Sequence, residues 1–134
     1  MRQLLVVWAI ALSALAGCAH FDDGTGSAIE RQLASPSRSA EDRTRDARDR
    51  PQAVLAFAGF GRGDTIADIF GGGGYYSELL SGLVGPDGQV LLVNNAPYDA
   101  YAKKDLQPRL AGDRLKNVRY SIAPNDALGL GENT

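Results

Sequence analysis

The stretch DIFGGGGYYSELL, residues 68–80, sets a carboxylate at the end of an apolar run, then four consecutive glycines, then an amphipathic segment. Glycines between a strand and a helix let the backbone approach a ligand closely, and the helix start offers it unpaired N–H groups. Asp68, Gly72 and Gly74 are therefore the first candidates for ligand contact. Side chains exclude two ligand classes that use this device. A phosphate-binding loop needs Gly-Lys-Ser/Thr, whereas Gly74 is followed by Tyr75 and Tyr76. A dinucleotide turn needs a third glycine where Tyr76 or Ser77 stands.

The elements around the turn read as alternating strands and helices. TIADIF (65–70) is short, partly β-branched and apolar on both faces, as a buried parallel strand is. YYSELLSGLV (75–84) predicts a helix with Leu79, Leu80, Leu83 and Val84 toward the sheet. GPDG (85–88) is a turn signal, and QVLLV (89–93) is a second buried strand that ends at Asn94 and Asn95. Residues 98–111 look helical but are interrupted by Pro108, and NVRYSIA (117–123) is a third strand. This order predicts an α/β fold, half of a doubly wound, Rossmann-like parallel sheet with flanking helices.

Upstream, Ser39 and Asp42 form a loose helix-start signal. The pairs Glu41/Arg45, Asp42/Arg45, Arg45/Asp49 and Asp46/Arg50 are spaced to meet on one helix surface, which predicts a solvated, charge-balanced face. Pro51 breaks or restarts that helix, and QAVLAFAGF supplies an apolar face. Over the whole chain, 14 Lys and Arg stand against 16 Asp and Glu, so no bulk charge points to nucleic acid. The single Cys and single His exclude a disulfide framework and cannot build the usual zinc ligand sets, so no metal is expected.

The N-terminus reads as a targeting segment. Met1 and Arg2 precede LLVVWAIALSALAG, the length of a signal-peptide core and short for a membrane span. It ends in Leu15-Ala16-Gly17-Cys18, which resembles a bacterial lipobox and implies a signal peptide over 1–17 and lipidation of Cys18. Similar lipoproteins carry two or three acyl chains, enough for stable anchoring. The implied location is exported and lipid-anchored, on the periplasmic side, with Ala19 after the cysteine favouring the outer membrane. Residues 18–38 mix Gly, Ser, Asp and Pro without sustained periodicity and are expected to be a flexible linker that includes His20. The domain is then expected over 39–134.

The glycine turn also resembles the acidic-x-G-x-G-x-G turn of class I S-adenosylmethionine-dependent methyltransferases. Asp68 takes the acidic position, Gly72 and Gly74 the second and third glycines, and Phe70 stands at the first. IADIFGGGGYYSELL is also similar to a subgroup of exported methyltransferases in which an aromatic pair follows the glycines. The resemblance implies that Asp68 and the turn hold the amino-acid part of S-adenosylmethionine. It implies that Asn94, where an acidic residue is usual, accepts from the ribose hydroxyls, with Pro97 at a frequent proline position. It further implies that Asp126, in Asn125-Asp126-Ala127, lies beside the adenine.

The resemblance covers residues 41–134 and implies the first three of about seven strands, in the order 3-2-1-4-5-7-6. The strand 65–70 would then lie at an open edge, a place for association with another chain. No catalytic base and no acceptor pocket are identifiable in the sequence. Three readings stand: the cofactor-binding half of a methyltransferase with unknown acceptor, a non-catalytic exported lipoprotein whose degenerate Rossmann-like domain binds a ligand or partner, and a truncated gene product with no independent function. The supply of S-adenosylmethionine outside the cytoplasm is the argument for the second.

Overall fold

The structure, a computed structural model, describes residues 23–131. The segment expected to be a signal peptide, Cys18 and His20 lie outside the described residues. Three strands form one parallel sheet in the order β1-β2-β3: β1 (Thr65–Ile69), β2 (Gln89–Asn94) and β3 (Val118–Ile122). Thr65 to Ile69 pair with Gln89 to Val93, and Val90 to Asn94 with Val118 to Ile122. Among the described residues β1 is paired on one side only. Two crossover helices join the strands, α4 (Tyr75–Val84) and α5 (Ala96–Leu110).

The core sits where α4 meets β1 and β2. Leu79, Leu80, Leu83 and Val84 are all buried, as their spacing predicts, and pack with Ile66 and Val90. β2 is the central strand, and Val90, Leu92 and Val93 are almost fully buried, which is why QVLLV reads as an unbroken apolar run. α5 is continuous through Pro108, contrary to the expected interruption. The proline falls in the last turn, with only Arg109 and Leu110 of the helix after it.

Three helices precede the sheet: α1 (Asp23–Leu33), α2 (Ala40–Asp49) and α3 (Pro51–Ala58). The Ser39 side chain caps α2 by accepting from the Asp42 N–H at 3.0 Å. Arg50, at φ 48°, closes α2 and opens α3, whose first residue is Pro51.

The linker expected over 18–38 is overturned from Asp23 onward. Ile29 of α1 is fully buried in the core, with Ala28 and Leu33 packed against it. The i,i+4 pair Ile29/Leu33 is the signal that gives this helix its apolar side. After α1, Arg38 is also buried, donating both Nη atoms to Asp46 at 2.7 Å and Nη1 to the Leu33 carbonyl at 3.0 Å. The domain therefore starts ahead of Ser39.

Candidate functional site

The glycine turn connects β1 to α4, and its backbone angles explain its composition. Phe70, Gly72 and Gly74 all have positive φ, at 56°, 58° and 80°. These are the three alternate positions of the turn, so the pattern in the sequence is a record of left-handed backbone. Phe70 is the exception in residue type, a bulky side chain where glycine is unstrained. The intervening glycines answer to space. A Cβ on Gly71 would lie 2.7 Å from the Asp68 carboxylate, and one on Gly73 would lie 2.9 Å from Cβ of Asp105 on α5.

Asp68 is the next-to-last residue of β1 and lies against the turn. One carboxylate oxygen accepts from Ser77 Oγ at 2.6 Å, and the group also accepts from the Ser77 backbone N–H. It thus serves the N-terminal turn of α4, where Gly74 offers no side-chain cap. Burial pushes the Asp68 carboxyl above the usual carboxylate range, against the two hydrogen bonds from Ser77 that favour its charge.

Asn94 holds the turn through its side-chain amide. It is 1% exposed, its Oδ1 accepts from the Gly72 N–H at 2.9 Å, and its Nδ2 donates to the Gly72 carbonyl at 3.2 Å. Each end of the amide makes one hydrogen bond to the turn, so Asn94 clamps Gly72. An aspartate here, an acceptor only, would leave the Gly72 carbonyl facing a carboxylate. That accounts for an amide at this strand end.

The next residue faces the open side. Asn95 caps α5 by accepting from the Tyr98 N–H at 2.9 Å, and its Nδ2 donates to Asn125 Oδ1 at 2.9 Å. This contact brings the segment after β3 to the end of β2. Asp126 itself is exposed and makes no hydrogen bond or ion pair among the described residues. Phe70, Asn95, Pro97 and Tyr98 line an open cavity of about 530 Å³. The Phe70 and Tyr98 rings meet edge to face at 5.9 Å, and Tyr98 stacks on Tyr101 at 6.3 Å. Tyr98 Oη lies 2.9 Å from where a Gly72 Cβ would stand, so glycine there makes room for the ring.

Behind the turn is a charged cluster that the sequence did not reveal. Arg109, in the last turn of α5, donates Nε to the Gly73 carbonyl at 2.7 Å. Its Nη1 and Nη2 donate to Asp42 of α2 at 2.7 and 3.0 Å, and Nη1 also bonds Glu78 of α4. Arg114 bonds the other oxygen of Glu78. A second link runs from Tyr75, whose hydroxyl donates to Asp46 at 2.6 Å while Arg45 lies over its ring at 4.2 Å. The solvated face expected for α2 holds at Glu41, Arg43, Arg45 and Arg48, which are exposed, and is corrected at Asp42 and Asp46. Of the four spaced pairs, Arg45 with Asp49 forms as an ion pair, while Asp42 and Asp46 turn to Arg109 and to Arg38. Together, the Asp68, Gly72, Gly74 and Asn94 positions converge on one turn, and Asp126 stays apart.

No protein-family model and no curated protein matches this sequence. Among solved structures, the chain is similar to the crystal structure of a SAM dependent methyltransferase from Aquifex aeolicus, with 28% identity and a TM-score of 0.55. The match covers 81% of this chain and 52% of that one, so this chain spans about half the length of the structure it matches. With the parallel β3-β2-β1 arrangement and the glycine turn between β1 and α4, the likeness shows the fold of a class I S-adenosylmethionine-dependent methyltransferase.

Proposed function

We propose that the chain is the cofactor-holding part of an S-adenosylmethionine-dependent methyltransferase and binds that cofactor over residues 68–74. The observation that carries this reading is the left-handed backbone at positions 70, 72 and 74, the conformation that the alternate-glycine turn supplies. Likeness to the Aquifex methyltransferase supports it. The bound cofactor supplies a methyl group on a sulfonium, and this chain's own residues bind and orient it. Asp68 and the Gly72–Gly74 backbone would hold the amino-acid part. The nucleoside would lie toward the cavity of Phe70, Asn95, Pro97 and Tyr98. There Asn95, rather than Asn94, is the amide at the open side, because Asn94 is closed onto Gly72. Asp126, next to the Asn125 that Asn95 holds, would approach the adenine from the segment after β3.

Calorimetry of the full chain with S-adenosylhomocysteine tests the proposal directly. Binding is expected, and Asp68→Ala should abolish it; absence of heat at millimolar ligand would sink the reading. The pH dependence follows from the raised Asp68 pKa. A carboxyl whose folded pKa is raised takes up its proton at higher pH than a free one, whose pKa is about 3.9. Affinity for the ligand's ammonium group should therefore start to fall on acidification above that value. In Asp68→Asn the residual binding should lose this step.

A further inference from the structure

We propose that Arg109 is a positioning residue that sets the glycine turn from behind and ties it to α2, so that the turn and α2 loosen together. The proposal concerns the same site as the reading above, but its central observation needs no ligand. A single guanidinium holds three elements at once: the turn through the Gly73 carbonyl, α2 through a two-pronged contact with Asp42, and α4 through Glu78. All three side chains are nearly buried, at 12% exposure for Arg109, 9% for Asp42 and 6% for Glu78. Removing the guanidinium would strand the Asp42 carboxylate and the Gly73 carbonyl in poor solvent, while Glu78 would keep Arg114. The Arg109 Cδ also lies 3.0 Å from where a Gly74 Cβ would stand, so the side chain is packed against the turn as well as bonded to it.

The nature of the α2 contact makes the coupling consequential. Asp42 is the one α2 residue described as buried, and no apolar residue of the helix joins the core. The helix is seated by Arg109 on Asp42, by Tyr75 and Arg38 on Asp46, and by Arg43 donating to the Ser35 carbonyl. Contacts of this kind depend on direction, and the members of one network strengthen or weaken together. α2 and α5 also wall a polar cavity of about 670 Å³ that reaches Gly73, with Asp42, Arg45, Tyr98 and Arg109 among its lining. Loosening α2 therefore opens that cavity and frees the Gly73 carbonyl in one event. The geometry makes α2 a strap, with Arg109 as its buckle to the turn.

Amide hydrogen exchange on the full chain reads both ends. The Arg50 amide, bonded to the Asp46 carbonyl at 2.9 Å, reports on α2, and the Gly74 amide, bonded to the Gly71 carbonyl at 2.9 Å, reports on the turn. In Arg109→Met both amides should exchange at least tenfold faster, by similar factors. In Asp42→Asn, which spares the bond to Gly73, Arg50 should accelerate tenfold and Gly74 distinctly less. Arg109→Lys tests the fork, because one ammonium cannot replace three separate N–H directions, and it should restore protection at one amide and not both. Unchanged Gly74 protection in Arg109→Met, or full protection at both amides in Arg109→Lys, would overturn the proposal. If Arg109→Met does not fold, the other two variants decide the matter. Adding S-adenosylhomocysteine should slow Arg50 exchange in the parent protein, since coupling is reciprocal. Failure of that ligand to bind would count against the cofactor reading alone and leave the exchange results standing.

Discussion

Helices α4 and α2 both reach the glycine turn, yet opposite forces hold them. α4 is seated by Leu79, Leu80, Leu83 and Val84, none more than 5% exposed, against Ile66 and Val90. α2 contributes a buried Asp42 and a partly covered Asp46, each held by an arginine from elsewhere in the chain. The same contrast appears in the carboxyls: burial pushes Asp68 up, whereas the Arg38 guanidinium holds Asp46 below the usual carboxylate range. A helix seated by apolar burial is fixed by the close fit of its side chains. One seated by charge has a single good position, and the turn beside it inherits that position.

The largest expected effect lies on the α4 side. Leu79→Ala should destabilise the chain by about 2–5 kcal/mol, the range for truncating a buried leucine, read from urea unfolding. A loss under about 1 kcal/mol would mean that α4 is not held by apolar burial and would dissolve the contrast. Tyr75→Phe should act less strongly, because it removes only the hydroxyl donated to Asp46 and leaves the buried ring in place. Hydrogen bonds to a charged partner contribute about 1.5–3 kcal/mol, and Asp46 keeps both contacts to Arg38, so a value near the lower end is expected. A cost equal to that of Leu79→Ala would show that charge and area hold the turn alike.

How much of this was legible in the sequence divides along the same line. Apolar spacing gave α4 its boundaries and its inward face, and unbroken apolar runs placed β1 and β2 within a residue. Ser39 with Asp42 marked the start of α2, because a cap is a local contact. Partners chosen over long separations were not legible. Asp42 had Arg45 three residues away and paired with Arg109, 67 residues away. Position alone could not tell whether the Asn94 amide would face ligand or backbone, since both tasks need the same strand end. α1 escaped notice because glycine and serine at its start masked the Ile29/Leu33 pair.

Phe70 tests the turn at its smallest scale, since three terms nearly cancel there. Its φ of 56° strains a bulky residue by about 1–2 kcal/mol, which glycine would relieve. Glycine would return about 0.5–1 kcal/mol through its freer unfolded chain. Loss of the edge contact with Tyr98 removes about 0.5–1.5 kcal/mol at most, and the ring is 43% exposed. Phe70→Gly should therefore change stability by less than about 1 kcal/mol, although it restores the alternate-glycine pattern. Binding should respond differently, because the ring walls the cavity shared by Asn95, Pro97 and Tyr98. We expect S-adenosylhomocysteine affinity to drop by up to about tenfold, the equivalent of one lost aromatic contact. Tighter binding in Phe70→Gly would instead make the ring an obstruction, so that the first glycine is missing for a reason other than ligand contact.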